Sequence, residues 1–288
     1  MKKHADQVGM YEAPPMRLLS PFRYPGGKTW LVPLIFRWLG DMKPRPDEFI
    51  EPFAGGAIVG LNVAFRRLTN HVTLAELDEE VAAVWQTIIC GDAKRLADRI
   101  AAFDLTLDSV TKELSQTPSS LEEKAFQTIL RNRVNRSGIL AAGAGVLRNG
   151  ENGRGIKSRW YPETLRERIL QIARMRDRIA FVKGDGLEVL RQNANRADVA
   201  FFIDPPYTAG SKQPGRRLYT HHEVDHEELF RVASTLTGAF LMTYSNDQTV
   251  RRLARQHSFG FKEIEMKTSH HAKMTELLIG RDLEWIRR

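Results

Sequence analysis

One cysteine, Cys90, occurs in 288 residues. A lone thiol forms no internal disulfide and builds no thiolate cluster for zinc, so a reducing compartment and no metal are expected. Cys90 itself reads as a small buried hydrophobe on a helix. Long apolar runs are missing as well. No stretch approaches the roughly 20 residues of a bilayer span, and the polar start MKKHADQVGMYEAPP has no apolar signal core, which predicts a cytoplasmic protein. A third absence concerns RYPGGKTW (23–30), whose Gly-Lys-Thr resembles the tail of a nucleotide-triphosphate loop. That loop needs a glycine five residues before its second one, so that backbone N–H groups curl around phosphates. Phe22 stands there. Lys28 therefore needs another explanation than a triphosphate.

The sequence is 42% hydrophobic, enough to bury a sizeable core in one large domain or a domain carrying an insertion. Its net charge of +8 is local: residues 131–178 hold twelve Lys or Arg against four acids, and the remainder carries 31 of each sign. A confined cationic excess is the footprint of a polyphosphate partner, because Lys and Arg replace condensed counterions. Residues 166–178 suit a solvated helix face. Six glycines between 138 and 155 instead put the preceding charge on irregular backbone.

After an arm of about twenty residues, Pro33 marks a helix start. EFIE (48–51), a Gly-rich turn, AIVGLNVAFRRL (57–68) and HVTLAE (71–76) form a strand, turn, helix and strand, followed by a helix at 78–89. Helical periodicity fills 92–136, and another helix lies near 163–178. Strands are then expected at 179–183, 199–203, 239–244, 261–267 and 274–280, with helices near 186–193, 225–236 and 247–256. Strand-helix alternation on both sides of a helical, basic segment predicts an α/β, doubly wound sheet with an inserted subdomain. The expected parts are an arm at 1–20, a sheet domain at 21–90 and 179–288, and an insert at 91–178.

Ligands of such sheets bind outside the carboxyl ends of the strands. Gly55 and Gly56 follow the first strand and let backbone approach a ligand. Glu76 and Asp78 follow the second, about where an acid grasps a ribose in nucleoside cofactors. VAFFIDPPYT places Asp204, Pro205, Pro206 and Tyr207 directly after five apolar residues. The prolines remove N–H donors and leave carbonyl acceptors. This suits a target that offers two hydrogens: an exocyclic amino group donates one to Asp204 and one to the Pro205 carbonyl, while Tyr207 stacks on the attached ring.

With these motifs assembled, the chain resembles the Dam-like DNA adenine-N6 methyltransferases. The resemblance rests on YPGGK (24–28), IEPFAGGAIVGLN (50–62), LAELD (74–78), DPPY (204–207), TYSND (243–247) and TELLIG (275–280), in family order. It implies a Rossmann-like methyltransferase sheet of about seven strands, the last antiparallel, with a mainly helical DNA-recognition insert. It also implies S-adenosyl-L-methionine as methyl donor, with Tyr24, Gly26 and Lys28 over it and Pro52, Phe53, Gly55 and Gly56 beneath its methionine portion. Glu76 stands where the family has aspartate on the ribose, and Asp78 is the alternative. Asp185 falls near the donor's adenine, and Asp204 near both donor and target base.

The reaction asks for no metal and no covalent intermediate. Adenine's amino lone pair is delocalised, and hydrogen bonds from N6 to Asp204 and the Pro205 carbonyl favour the pyramidal nitrogen that attacks the methyl. A target in double-stranded DNA must first be flipped out, at a cost of a few kcal/mol. The basic insert is the expected clamp, with Arg131, Arg133, Asn135, Arg136, Arg148, Arg154, Lys157 and Arg159 as candidate DNA contacts. No aromatic residue occurs in 127–159, and the tyrosine-bearing pattern of GATC-reading members is missing, which speaks against GATC. A restriction endonuclease is a conceivable functional partner.

Three other readings of the sequence compete with this one. His222-Glu-Val-Asp-His226 matches the His-Glu-x-x-His zinc pattern, which works only within one helix. Asp225 followed by Glu228 reads as a cap that starts the helix at His226 and leaves His222 outside. A non-catalytic nucleic-acid binder leaves DPPY unexplained. Methylation of cytosine N4 or another conjugated amine uses the same geometry, but the motif order favours adenine.

Overall fold

The computed structural model describes residues 16–23, 27–140, 145–147, 153–206, 224–267 and 273–286. Seven strands form one sheet: β1 (Glu48–Glu51), β2 (His71–Glu76), β3 (Ile179–Lys183), β4 (Val199–Ile203), β5 (Ala239–Ser245), β6 (Gly260–Lys267) and β7 (Lys273–Gly280). Their order is β3-β2-β1-β4-β5-β7-β6. The first five are parallel, and β7 runs antiparallel to both β5 and β6. Strand order reverses between β1 and β4, so Glu51, which ends β1, and Asp204, which follows β4, lie at the same edge of the switch point. All five residues of β4 are buried, as a central parallel strand covered on both faces requires.

On one face lie α1 (Val32–Asp41), α2 (Ile58–Arg66) and α3 (Glu79–Ile89). The opposite face carries α8 (Gly186–Gln192), α9 (His226–Thr235) and α10 (Gln248–Gln256), whose Val189, Leu229, Phe230 and Val250 make a second core. Between β2 and β3 come α4 (Ala93–Ala102), α5 (Leu107–Leu114), α6 (Leu121–Val134) and α7 (Pro162–Ala173). α4, α6 and α7 pack directly on α3, and α5 packs on α6. One apolar cluster runs from Phe49, Leu74 and Phe202 of the sheet through Trp85 to Phe126, Ile129 and Leu165 of the inserted helices. The insertion thus shares its core with the sheet.

Two local expectations change. The helical stretch 92–136 is three helices, because Thr106 and Ser120 cap new starts by accepting the Ser109 and Glu123 amides, both at 3.0–3.1 Å. Cys90 is exposed, since α3 ends at Ile89 and the thiol sits one step past the last core-facing residue. The cap at Asp225 is as read: its carboxylate accepts the Glu228 amide at 3.0 Å and α9 begins at His226. Among the described residues no helix is long and apolar enough to cross a membrane.

Candidate active site

Asp204 is the first polar residue after the buried β4 strand, and two donors meet its Oδ1: Lys28 Nζ at 3.0 Å and Thr243 Oγ1 of β5 at 2.7 Å. Two donors on one oxygen fix the plane of the carboxylate. Lys28 is 3% exposed and has Glu276 of β7 as a second carboxylate at 3.7 Å. An ammonium buried this deeply persists only when compensated, since its desolvation costs several kcal/mol. The Gly-Lys of the opening motif is therefore committed to carboxylates of the sheet, which answers the phosphate-loop likeness. Pro205 is buried and Pro206 half-buried. Tyr24, Gly26 and Tyr207 lie outside the described residues.

Behind Asp204 stand groups that the sequence reading left without roles. Glu51 is 3% exposed and accepts the Gly60 amide at 2.8 Å. Burial pushes its carboxyl up to about 8, the Gly60 bond partly opposes this, and the Asp204 charge adds to it. Gly60 is obligatory there, because a Cβ would meet Glu51 Oε2 and a Leu74 methyl at 2.6 Å. Tyr244 is fully buried; burial and the nearby Asp204 charge raise its phenol, and its OH lies 2.8 Å from His226 Nδ1. Burial lowers the His226 imidazole. This histidine thus pairs with a tyrosine, and among the described residues no group of three His, Cys, Asp or Glu is arranged to hold a metal. His222 and Glu223 lie outside the described residues. Glu51, Thr243 and Glu276 lie within motifs already quoted, in strands that hold other polar residues, and no local signal singled them out.

The glycine turn is built on the end of β2. The Ala54 amide donates to the Ala75 carbonyl at 2.9 Å, and Gly55 adopts φ +47°, the left-handed region that glycine enters without steric cost. Ala57 also sits there, at φ +51°, a strain of about 1 kcal/mol at the entrance to α2. Glu76 holds the turn: its Oε2 accepts the Gly55 amide at 2.8 Å and its Oε1 the Asp78 amide at 2.9 Å. Burial pushes Glu76 up to about 7 against these bonds, and Asp78 contributes a smaller push. Asp78 is turned away, capping α3 through the Glu80 and Val81 amides at 2.8 and 3.1 Å. Trp85 Nε1 donates to the Gly55 carbonyl at 2.9 Å and closes the turn from below. Buried Pro52 and half-buried Phe53 lead into the turn, and Gly56 is buried within it. Asp185 is exposed and caps α8 by accepting the Leu187 amide at 2.8 Å.

The basic candidates divide. Arg136, Arg154 and Lys157 are exposed, and Arg159 is half-buried with its guanidinium 3.4 Å from the Asn135 carbonyl. Arg131 is half-buried and ion-paired with Glu80. Arg133 and Asn135 are each 4% exposed and turned inward: Arg133 donates to the Pro21 carbonyl, and Asn135 to the Ile139 carbonyl at 2.8 Å. Burial lowers the Arg133 guanidinium to about 9, with the Arg168 charge adding to it. In this conformation neither reaches a surface, so both leave the set of candidate DNA contacts. Arg148 lies outside the described residues.

A mostly parallel sheet with a carboxylate-proline pair at its switch point and a glycine turn beside it defines an α/β protein of the Rossmann-like methyltransferase type. The model of the D12 class N6 adenine-specific DNA methyltransferases matches residues 24–270, and the chain belongs to that family. Among curated proteins no match is found. Solved structures to which it is similar include a provisionally assigned RNA methyltransferase from Pyrococcus horikoshii, at 11% identity and TM-score 0.40 over 90% of this chain and 84% of that one. A provisionally assigned methyltransferase from Escherichia coli aligns at 13% identity and TM-score 0.36, covering 88% and 86% of the two chains. A methylase from Haemophilus influenzae, likewise provisionally assigned, aligns at 14% and 0.33, covering 88% and 92%.

Proposed function

We propose that the chain transfers a methyl group from S-adenosylmethionine to N6 of an adenine extruded from double-stranded DNA. The observation that carries this is the Asp204-Pro205 corner at the switch point, with Asp204 set by a buried lysine and a threonine. The residues present fit the donor. Half-buried Glu76 ends β2 beside a glycine turn, where it suits a ribose, and exposed Leu77 and Val182 offer apolar surface to an adenine ring. When bound, the donor supplies an activated methyl on a sulfonium.

The chain's own groups do the rest. Asp204 accepts one N6 hydrogen and the Pro205 carbonyl the other, which localises the nitrogen lone pair toward the methyl. Lys28 and Thr243 keep the Asp204 carboxylate in one plane, so the acceptor loses little orientation entropy on binding. Tyr207 provides the stacking face for the base. Arg136, Arg148, Arg154, Lys157 and Arg159 bind phosphates and offset the few kcal/mol of flipping.

Expression in cells without adenine methylation, followed by single-molecule sequencing and chromatography of the hydrolysed DNA, should reveal N6-methyladenine at one short motif. N4-methylcytosine instead would overturn the target assignment. A second expectation concerns the donor pocket. A Cβ on Gly186 would lie 2.4 Å from the Pro52 carbonyl and 2.7 Å from the Phe53 ring. Gly186→Ala should thus displace that loop, at about 1–3 kcal/mol of stability, and weaken donor binding about tenfold or more while DNA retention holds, as calorimetric titration would read.

A further inference from the structure

Residues 16–23 form an irregular strap just upstream of Lys28, and side chains from distant elements hold its backbone. Asn62 of α2 accepts the Arg17 amide and donates to the Arg17 carbonyl, both at 3.0 Å. Arg168 of α7 donates to the Ser20 carbonyl at 3.0 Å, and Arg133 of α6 to the Pro21 carbonyl. Asn132 of α6 accepts the Arg23 amide at 2.8 Å and donates to the Arg23 carbonyl at 3.0 Å. Asn132 Nδ2 also donates to the Gly138 carbonyl at 2.7 Å. Asn62, Asn132 and Arg133 are 1%, 0% and 4% exposed.

Burying an amide costs a few kcal/mol unless its bonds are made, so three polar side chains in a core fix one geometry more than they add stability. Gly138 gives a second, independent sign of close fit. It has φ +74°, and a Cβ there would be 2.3 Å from the Arg23 carbonyl. The strap lies directly on the loop that begins with Arg136. Its other side is seated as well: Phe22 stands edge-on to Trp85 at 5.6 Å between ring centroids, and Trp85 holds the Gly55 turn.

We infer that Asn132 is a positioning residue for methyl transfer: gripping Arg23 and the Gly138 loop with one amide, it sets Lys28 against Asp204 from the helices that carry the basic surface. The inference rests on the reading of Lys28 and Asp204 as the transfer site. Arg133 and Arg168 support the same strap, so Lys28 takes its place from the inserted helices as well as from the sheet.

A double-mutant cycle of Asn132→Ala with Lys28→Ala tests it, read on single-turnover methyl transfer and on S-adenosylmethionine dissociation constants. Amide hydrogen exchange of the strap is followed alongside. Asn132→Ala should melt cooperatively, retain duplex DNA, lose protection at the Arg23 amide, and transfer methyl about 10- to 100-fold more slowly. Added to Lys28→Ala, it should change rate and donor affinity by less than about twofold, because both act through one group. Additive losses overturn the inference, as does a full-speed Asn132→Ala whose Arg23 amide exchanges freely. Lys28→Ala transferring at the parental rate would sink the site reading, and the inference with it. If Asn132→Ala does not fold, Arg168→Ala takes its place, with half-buried Arg168 giving up only the Ser20 carbonyl. Non-additivity with Lys28 then supports the inference and additivity overturns it.

Discussion

Asp204→Asn is expected to retain duplex DNA and methyl donor at near-parental affinity and to lose methyl transfer by about 10³-fold. The substitution keeps the shape of the side chain and an oxygen for the Thr243 hydroxyl, which donates to Asp204 at 2.7 Å. Its charge and half of its acceptor capacity are lost. An amide NH₂ facing the amino group of adenine sets donor against donor, so the nitrogen lone pair is no longer localised. Binding of the rest of the DNA does not depend on that hydrogen bond, because phosphates carry most of the affinity. Lys28 would face a neutral oxygen at 3.0 Å in place of a carboxylate, with the Glu276 charge at 3.7 Å unchanged. The loss of that nearer charge should lower stability by about 1–3 kcal/mol. Filter retention of duplex DNA, calorimetric titration of the donor and tritium transfer separate these quantities. Equal loss of retention and transfer would remove Asp204 from the chemistry and make it a structural acid.

The Lys28–Asp204 ion pair could not be read from residues 176 positions apart. Each half was legible by itself: Asp204 as the polar residue that ends a five-residue apolar strand, Lys28 as the end of a loop whose first hinge is Phe22. Their meeting depends on β4 lying next to β1 at the switch point. The strand-helix alternation followed from the periodicity and the antiparallel last strand came from the family resemblance, whereas the strand order is first given by the structure. Glu51 and Glu276 escaped because EFIE and KMTELLIG each hold other polar residues, and nothing local says which acid is buried. Only the neighbouring strands bring Glu51 into the field of Asp204 and Glu276 within 3.7 Å of Lys28.

The insert shows where composition misleads. In a stretch rich in Arg and Asn, a side chain aimed at a phosphate and one aimed at a carbonyl look alike. Helical phase carried the missing information: Phe126, Ile129, Leu130 and Arg133 fall at i, i+3, i+4 and i+7 of α6, and all four are buried. Arg133 therefore belongs to the apolar stripe, whereas Arg131 lies off it, in a half-buried ion pair with Glu80. Asp78 was ambiguous for a related reason. A helix cap and a ribose ligand both call for a carboxylate after a strand, and the Glu80 and Val81 amides decide for the cap.

Glu51→Gln should flatten the dependence of stability on pH. Glu51 is held near 8 in the folded protein against an ordinary value of 4.5. Over that window the folded state keeps a proton that the unfolded state releases. Stability from this group is fully present below about 4.5, declines as pH rises, and is exhausted near 8. The slope is negative because the native state binds more protons than the unfolded one. The total is on the order of several kcal/mol. Glu76, at about 7, adds a decline of the same sign over a narrower window. Glutamine resembles the protonated acid at every pH and keeps an oxygen for the Gly60 amide. The advantage of the variant should thus be small near pH 5 and reach its full size at pH 8 and above. Transfer by the parent should also decline above pH 8, where an ionised Glu51 sets like charge against Asp204, while the variant holds its rate. Thermal melts and single-turnover rates between pH 5 and 9 test both. Parallel stability curves would mean that Glu51 is ionised in the native state and would remove this account of the pH dependence.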